Sequence, residues 1–161
     1  MDSNAHHLKL GTLVANLHSL ETLLRVFLAE HNKECEPVVN FDSLAVGHCV
    51  RVNSLTNYDT LGKLVDKYNE AVKSKCSEDA LGSTVVHLRD MIAHGRVLGR
   101  SPSLPYTLYK FGHPADDRVL VVASETMDEC WFKAKIDFVF REIRKVADAA
   151  KTMGFSNISW D

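Results

Sequence analysis

The sequence predicts a mainly α fold, an up-down bundle of four principal helices with one small inserted β-hairpin. Three observations carry this reading. Four stretches place apolar residues at steps of three and four, two adjoining β-rich runs lie between the third and fourth stretches, and 161 residues is the size of one domain. At 45% hydrophobic and 25% charged residues, the composition excludes a disordered or fibrous chain, and a chain of this length buries roughly 70% of its unfolded surface. A single domain over residues 1–161 is therefore expected. Apolar runs such as Val119–Ala123 are far shorter than the roughly 18 residues of a membrane span.

The first helix is expected over residues 5–31, where Leu10, Leu13, Val14, Leu17, Leu20, Leu24, Phe27 and Leu28 form one stripe. The second carries Leu61, Leu64, Val65, Tyr68 and Val72 after the cap candidates Thr56, Asn57 and Asp59, and fades in a lysine-rich stretch. For the third, Ser77 is the expected cap. Glu78 and Asp79 then sit favourably against the helix dipole, Leu81, Val85, Leu88 and Ile92 form the core face, and fraying is expected between Gly95 and Gly99. YTLYKF and RVLVVA, separated by GHPADD, read as a hairpin at about residues 106–123. Thr126 and Glu129 form a T-x-x-E capping box for the fourth helix, whose face is Phe132, Ile136, Val139, Phe140, Ile143, Ala147 and Ala150 and whose stop is Gly154. Residues 36–54 allow a short strand around Val50–Val52 or a short helix.

Charge nearly cancels, with 19 Lys and Arg against 21 Asp and Glu, so any nucleic-acid surface is local. The opening MDSNAHHLKLG has no secretory pattern, and cytoplasmic residence is the expectation. Cys35, Cys49, Cys76 and Cys130 lack any C-x-x-C spacing, which suits reduced thiols. Phosphate-binding loops and dinucleotide fingerprints are missing, and no cofactor is expected. His6 and His7 read as disordered or as a chance pair, not as ligands. The basic residues of the fourth helix, Lys133, Arg141, Arg144, Lys145 and Lys151, are interrupted by Asp137, Glu142 and Asp148, which makes a solvated mixed-charge face.

The chemistry-bearing segment is VVHLRDMIAHGRV, which places Arg89, Asp90 and His94 near the end of the third helix. An imidazole exchanges protons at neutral pH, and a guanidinium holds the charge that builds on a phosphoryl group. RNA cleavage without a metal is the reaction implied. Arg96 and Arg100 are substrate-binding candidates, Arg96 sharing a face with Arg89. At about 100° per residue Arg89 and His94 lie roughly 140° apart, and Asp90 and His94 about 40° apart. A two-fold dimer, or a loosened helix end at Gly95, would bring an Arg and a His together. Alternatively, Arg89 pairs with an acid such as Glu21 and His94 is a polar helix-end residue. A rival trio, His87, Asp90 and His94, has i, i+3, i+7 spacing for a divalent metal; the expectation is no metal. Arg25 and His31 have similar spacing to Arg89 and His94 and read as a solvated Arg and a helix-end His.

On Arg89, Asp90 and His94, the chain resembles the HEPN family (higher eukaryotes and prokaryotes nucleotide-binding), helical bundles with an Arg, a polar residue and a His four to six positions after the Arg. Two further segments, LETLLRVFL in the first helix and YDTLGKLV at the start of the next, are similar to the corresponding parts of such bundles. The resemblance implies a homodimer with facing motif helices and, in active members, metal-independent endoribonuclease activity in a stress or defence system. It equally admits a silent dimeric module that binds a nucleotide or a partner protein such as an antitoxin. The hairpin and the weak basic character depart from a generic nuclease.

Overall fold

The computed structural model describes residues 1–34, 45–47, 49–99 and 105–155. Among them the order is α1 (Ser3–His31), α2 (Leu61–Val72), α3 (Thr84–His94), β1 (Arg96–Leu98), β2 (Thr107–Phe111), β3 (Val121–Thr126) and α4 (Glu129–Thr152). The fold is mainly helical, as expected. No helix of the described residues is long and apolar enough to cross a membrane. Contacts divide the chain into two compact units, Met1–His18 with Gly82–Arg141, and Ser19–Leu81 with Glu142–Asp161.

The first unit holds α3 and an antiparallel sheet in the order β1-β2-β3. The expected two-stranded hairpin is thus a three-stranded sheet. Its last strand runs to Thr126, because Thr107 pairs with Thr126 and Met127 N–H donates to the Tyr106 carbonyl at 2.8 Å. Leu108 of β2, fully buried, joins Met91, Met127 and Phe132 in a core cluster. Met127 is committed to that core, so the cap of α4 is Asp128, whose Oδ1 accepts from Trp131 N–H at 2.7 Å; the Thr126 capping box does not form.

The third helix also starts later than expected. Ser77–Asp79 forms a single 3-10 turn. The Asn69 side chain then takes both polar groups of the Leu81 backbone, Nδ2 donating to its carbonyl at 2.9 Å and Oδ1 accepting from its N–H at 2.8 Å. Leu81 is therefore buried outside the helix, and α3 begins at Thr84. Met91 takes the core position while Ile92 is half-buried. In place of fraying after His94, the Gly95 N–H closes on the Met91 carbonyl at 2.8 Å and the chain enters β1. A side chain at Gly95 would collide with the Met91 carbonyl and come within 2.6 Å of Leu108 Cδ1, so this abrupt switch requires glycine.

In the second unit, Leu20, Leu24 and Phe27 of α1, Leu64, Val65, Tyr68 and Val72 of α2, and Val146 and Ala149 of α4 are buried. Burying each of the larger side chains contributes about 1.5–3 kcal/mol. The Tyr68 ring meets Phe27 edge-on at 4.9 Å, its hydroxyl donates to the Asp79 carbonyl at 3.2 Å, and burial pushes the phenol pKa well up. The α2 cap is Thr60, not the three earlier candidates. Arg25 is not solvated: its side chain is 14% exposed and donates to Glu21 Oε1 (3.1 Å), the carbonyls of Asn57 (3.0 Å) and Asp59 (2.8 Å), and Asn57 Oδ1 (3.0 Å). Glu21 is thus the partner of Arg25. Residues 50–52 form neither helix nor strand, and Val50 and Val52 are exposed; the rest of the reading for residues 36–44 lies outside the described residues, as does Cys35. Cys49, Cys76 and Cys130 are free thiols.

Both long helices end in the same hydrogen-bonded motif. At α4, Phe155 N–H reaches the Ala150 carbonyl and Gly154 N–H the Lys151 carbonyl, with Gly154 at φ +77°. Gly154 is the stop its sequence position suggested. At α1, Glu34 and Lys33 bond back to Ala29 and Glu30, and the left-handed position is held by Lys33 at φ +52°.

Candidate functional site

Helix α3 stays regular through His94, so no loosening re-aims that side chain, and Arg89 and His94 keep their wide angular separation. The contacts instead join Asp90 and His94, one turn apart: His94 Nε2 lies 3.6 Å from Asp90 Oδ1, with the imidazole 65% exposed. Lys110, arriving from β2, binds the other oxygen, Oδ2. Lys110 beside Asp90 holds the carboxyl below the usual carboxylate range, with smaller help from the charges of His94 and Arg89. Arg89 is half-buried one residue earlier.

Lys110 was not among the candidates read from the sequence. Its signal lies in the alternation of YTLYKF: side chains two apart share a sheet face, so Lys110 lies on the side of Leu108, which packs against Met91 of α3. A lysine on a strand's inward register has to meet an acid or water, and the only carboxylate in α3 is Asp90. The third helix and the strand were legible separately; their pairing required tertiary contact.

Arg96 is exposed in β1, two residues beyond His94, with its guanidinium carbon 5.1 Å from the centroid of the Phe111 ring. Arg100 lies outside the described residues. Among the described residues no group of three His, Cys, Asp or Glu is placed to hold a metal ion, which includes the trio His87, Asp90 and His94. His6, read as a chance neighbour of His7, is buried in an aromatic socket, its ring edge-on to Tyr106 at 4.9 Å and to Phe132 at 5.1 Å. Its Nδ1 has no hydrogen-bond partner among the described residues.

Chemically, the cluster is an exposed imidazole 3.6 Å from a carboxylate, with two basic side chains, Arg89 and Lys110, within or beside the same helix-strand junction. A neutral His94 can accept a proton from a hydroxyl, and the adjacent Asp90 stabilises the imidazolium that results. In comparison with known proteins, the chain matches no protein-family model, no curated protein and no solved structure.

Proposed function

We propose that the chain is a HEPN-like, metal-independent endoribonuclease of a stress or defence system, built as an up-down helical bundle and acting as a cytoplasmic homodimer. One observation carries the reading: His94 is exposed at a helix end, against the carboxylate of Asp90, with the cations Lys110 and Arg89 beside it. His94 takes the proton of a ribose 2′-OH as that oxygen attacks the adjacent phosphorus. The P–O5′ bond breaks, leaving a 2′,3′-cyclic phosphate and a free 5′-hydroxyl. Asp90 orients the imidazole, Arg89 stabilises the charge on the phosphoryl oxygens, and Arg96 and Arg100 hold flanking phosphates. The two-fold dimer brings the second Arg89 toward His94, which one regular helix does not do.

A specific observation favours a second reading. Lys110 and Asp90 are already engaged with each other, and a cluster that neutralises itself suits a silent module that binds a nucleotide or a partner protein such as an antitoxin. The two are separated by incubating wild type, His94→Ala and Arg89→Ala with a mixed RNA pool in EDTA. The enzyme reading expects wild type to cleave and each folded variant to lose roughly 10²- to 10⁴-fold in rate. Cleavage abolished by EDTA, or equal in wild type and His94→Ala, overturns it.

A further inference from the structure

The sheet has a second face, and its composition differs from the first. Leu108 and Lys110 turn toward α3, so Tyr109 and Phe111 turn away from it. Register carries that side across the sheet: Arg96 pairs with Tyr109 and Tyr109 with Ser124, and directly paired residues share a face; beyond Lys110 the β2–β3 register shifts at an irregularity that skips Val122 and sets Phe111 opposite Val121. On the flanking strands this outer face is open, with Arg96, Leu98, Ser124 and Thr126 exposed; on β3 the inner-face Ala123 and Glu125 are half-buried, while on β1 the inner-face Val97 is exposed as well. The centre of the outer face is aromatic. The rings of Tyr109 and Phe111 are 6.4 Å apart and tilted by only 31°, and the Arg96 guanidinium rests over Phe111.

We infer that this outer face is a stacking platform for unpaired bases of single-stranded RNA, with Arg96 taking a phosphate or stacking on a base; the choice of RNA rests on the proposed ribonuclease reading. Two half-buried rings side by side on a strand, tilted by 31° to one another, offer consecutive π surfaces of the kind that hold unstacked bases, and duplexes cannot present base faces to them. Charge agrees with a polyanion. The paired outward residues hold one cation and no acid; the only carboxylate in the three strands, Glu125, faces inward and is engaged by Trp131 Nε1 and by Lys135 at 3.0 Å. Among the described residues Arg96 has no ion-pair partner. Its place two residues after His94 lets one strand pass from platform to candidate site around the edge strand β1.

The test is fluorescence anisotropy with 5′-fluorescein decauridylate, in the His94→Ala background so that the probe survives. Tyr109→Leu and Phe111→Leu keep apolar bulk; Arg96→Gln removes only the cation. Each ring substitution is expected to weaken binding by roughly five- to a hundredfold, and Arg96→Gln to weaken it and flatten its salt dependence. An RNA duplex of equal length is expected to bind far more weakly. Cross-linking wild type at 254 nm to a 2′-fluoro decauridylate, which lacks the attacking hydroxyl and so survives, with the adduct mapped by mass spectrometry, needs no folded variant and is expected to mark Tyr109 or Phe111. Equal affinity in variants and wild type, duplex binding as tight as single strand, adducts confined elsewhere, or no binding at tens of micromolar overturns the platform. Tighter binding of decathymidylate overturns the assignment to RNA. Ring-dependent binding without any cleavage by wild type supports the platform and overturns the ribonuclease reading alone; cleavage with ring-independent binding does the reverse.

Discussion

Arg25→Ala tests the strongest polar interaction identified in the second unit. The side chain is 14% exposed, and it makes four bonds of 2.8–3.1 Å, to Glu21, Asp59 and twice to Asn57. A net contribution of about 1 kcal/mol per bond gives about 4 kcal/mol; partial rehydration of the freed carbonyls reduces this to about 3 kcal/mol. That is a large share of the 5–15 kcal/mol typical of a domain. Divided by a urea dependence of about 1–3 kcal/mol/M, it moves the unfolding midpoint down by roughly 1–3 M, read by far-ultraviolet circular dichroism. Two controls separate the mechanisms. Arg25→Lys keeps the charge and loses the planar fork, so it is expected to cost about half as much. Glu21→Gln removes only the i,i+4 ion pair, at about 0.5 kcal/mol. A loss below about 1 kcal/mol in Arg25→Ala, or one equal to that of Glu21→Gln, refutes the view that Arg25 fastens the backbone leading into α2.

Burial holds the His6 imidazole pKa below its ordinary value, with the neighbouring His7 charge adding to the effect. The unfolded chain then binds this proton more readily than the folded one, so the contribution of His6 to stability is constant above about pH 6.5 and falls as pH drops below it, by at most about 1.4 kcal/mol per pH unit. Urea titrations between pH 7.5 and 5 are expected to show this slope in wild type and to lose most of it in His6→Phe; an unchanged slope assigns it to other groups. Lys33→Gly relieves a left-handed side-chain conformation at the end of α1 and is expected to raise stability by about 0.5–1 kcal/mol in thermal melts, whereas a lowered melting temperature contradicts the cap.

Periodicity exposed the helices because each buries a continuous stripe, and the stripe of α1 reappears as buried Leu13, Leu17, Leu20, Leu24, Phe27 and Leu28. Boundaries were less legible where a distant partner decides them. Ser77 and Thr126 both read as caps; the first precedes a backbone seized by Asn69, and the second is held in a strand by Thr107. β1 was hidden because RVL pairs only with residues nine or more positions away. Phe140, placed on the apolar stripe, is 48% exposed, while Val146 and Ala149 are buried. Of the candidate site, Asp90 and His94 were legible as a one-turn pair, and Lys110 was not, since no local rule joins a helix carboxylate to a later strand.

Gly95 alone separates the last residue of α3 from the first residue of β1, and a strand counts in twos. Lengthening this link by one residue while keeping the ladder turns every β1 side chain over, so that Arg96 points toward the helix and Val97 outward. Adding two restores the original sides. Insertion here is thus governed by parity rather than by bulk, and odd and even insertions of the same small residue are expected to differ more from each other than two odd insertions do.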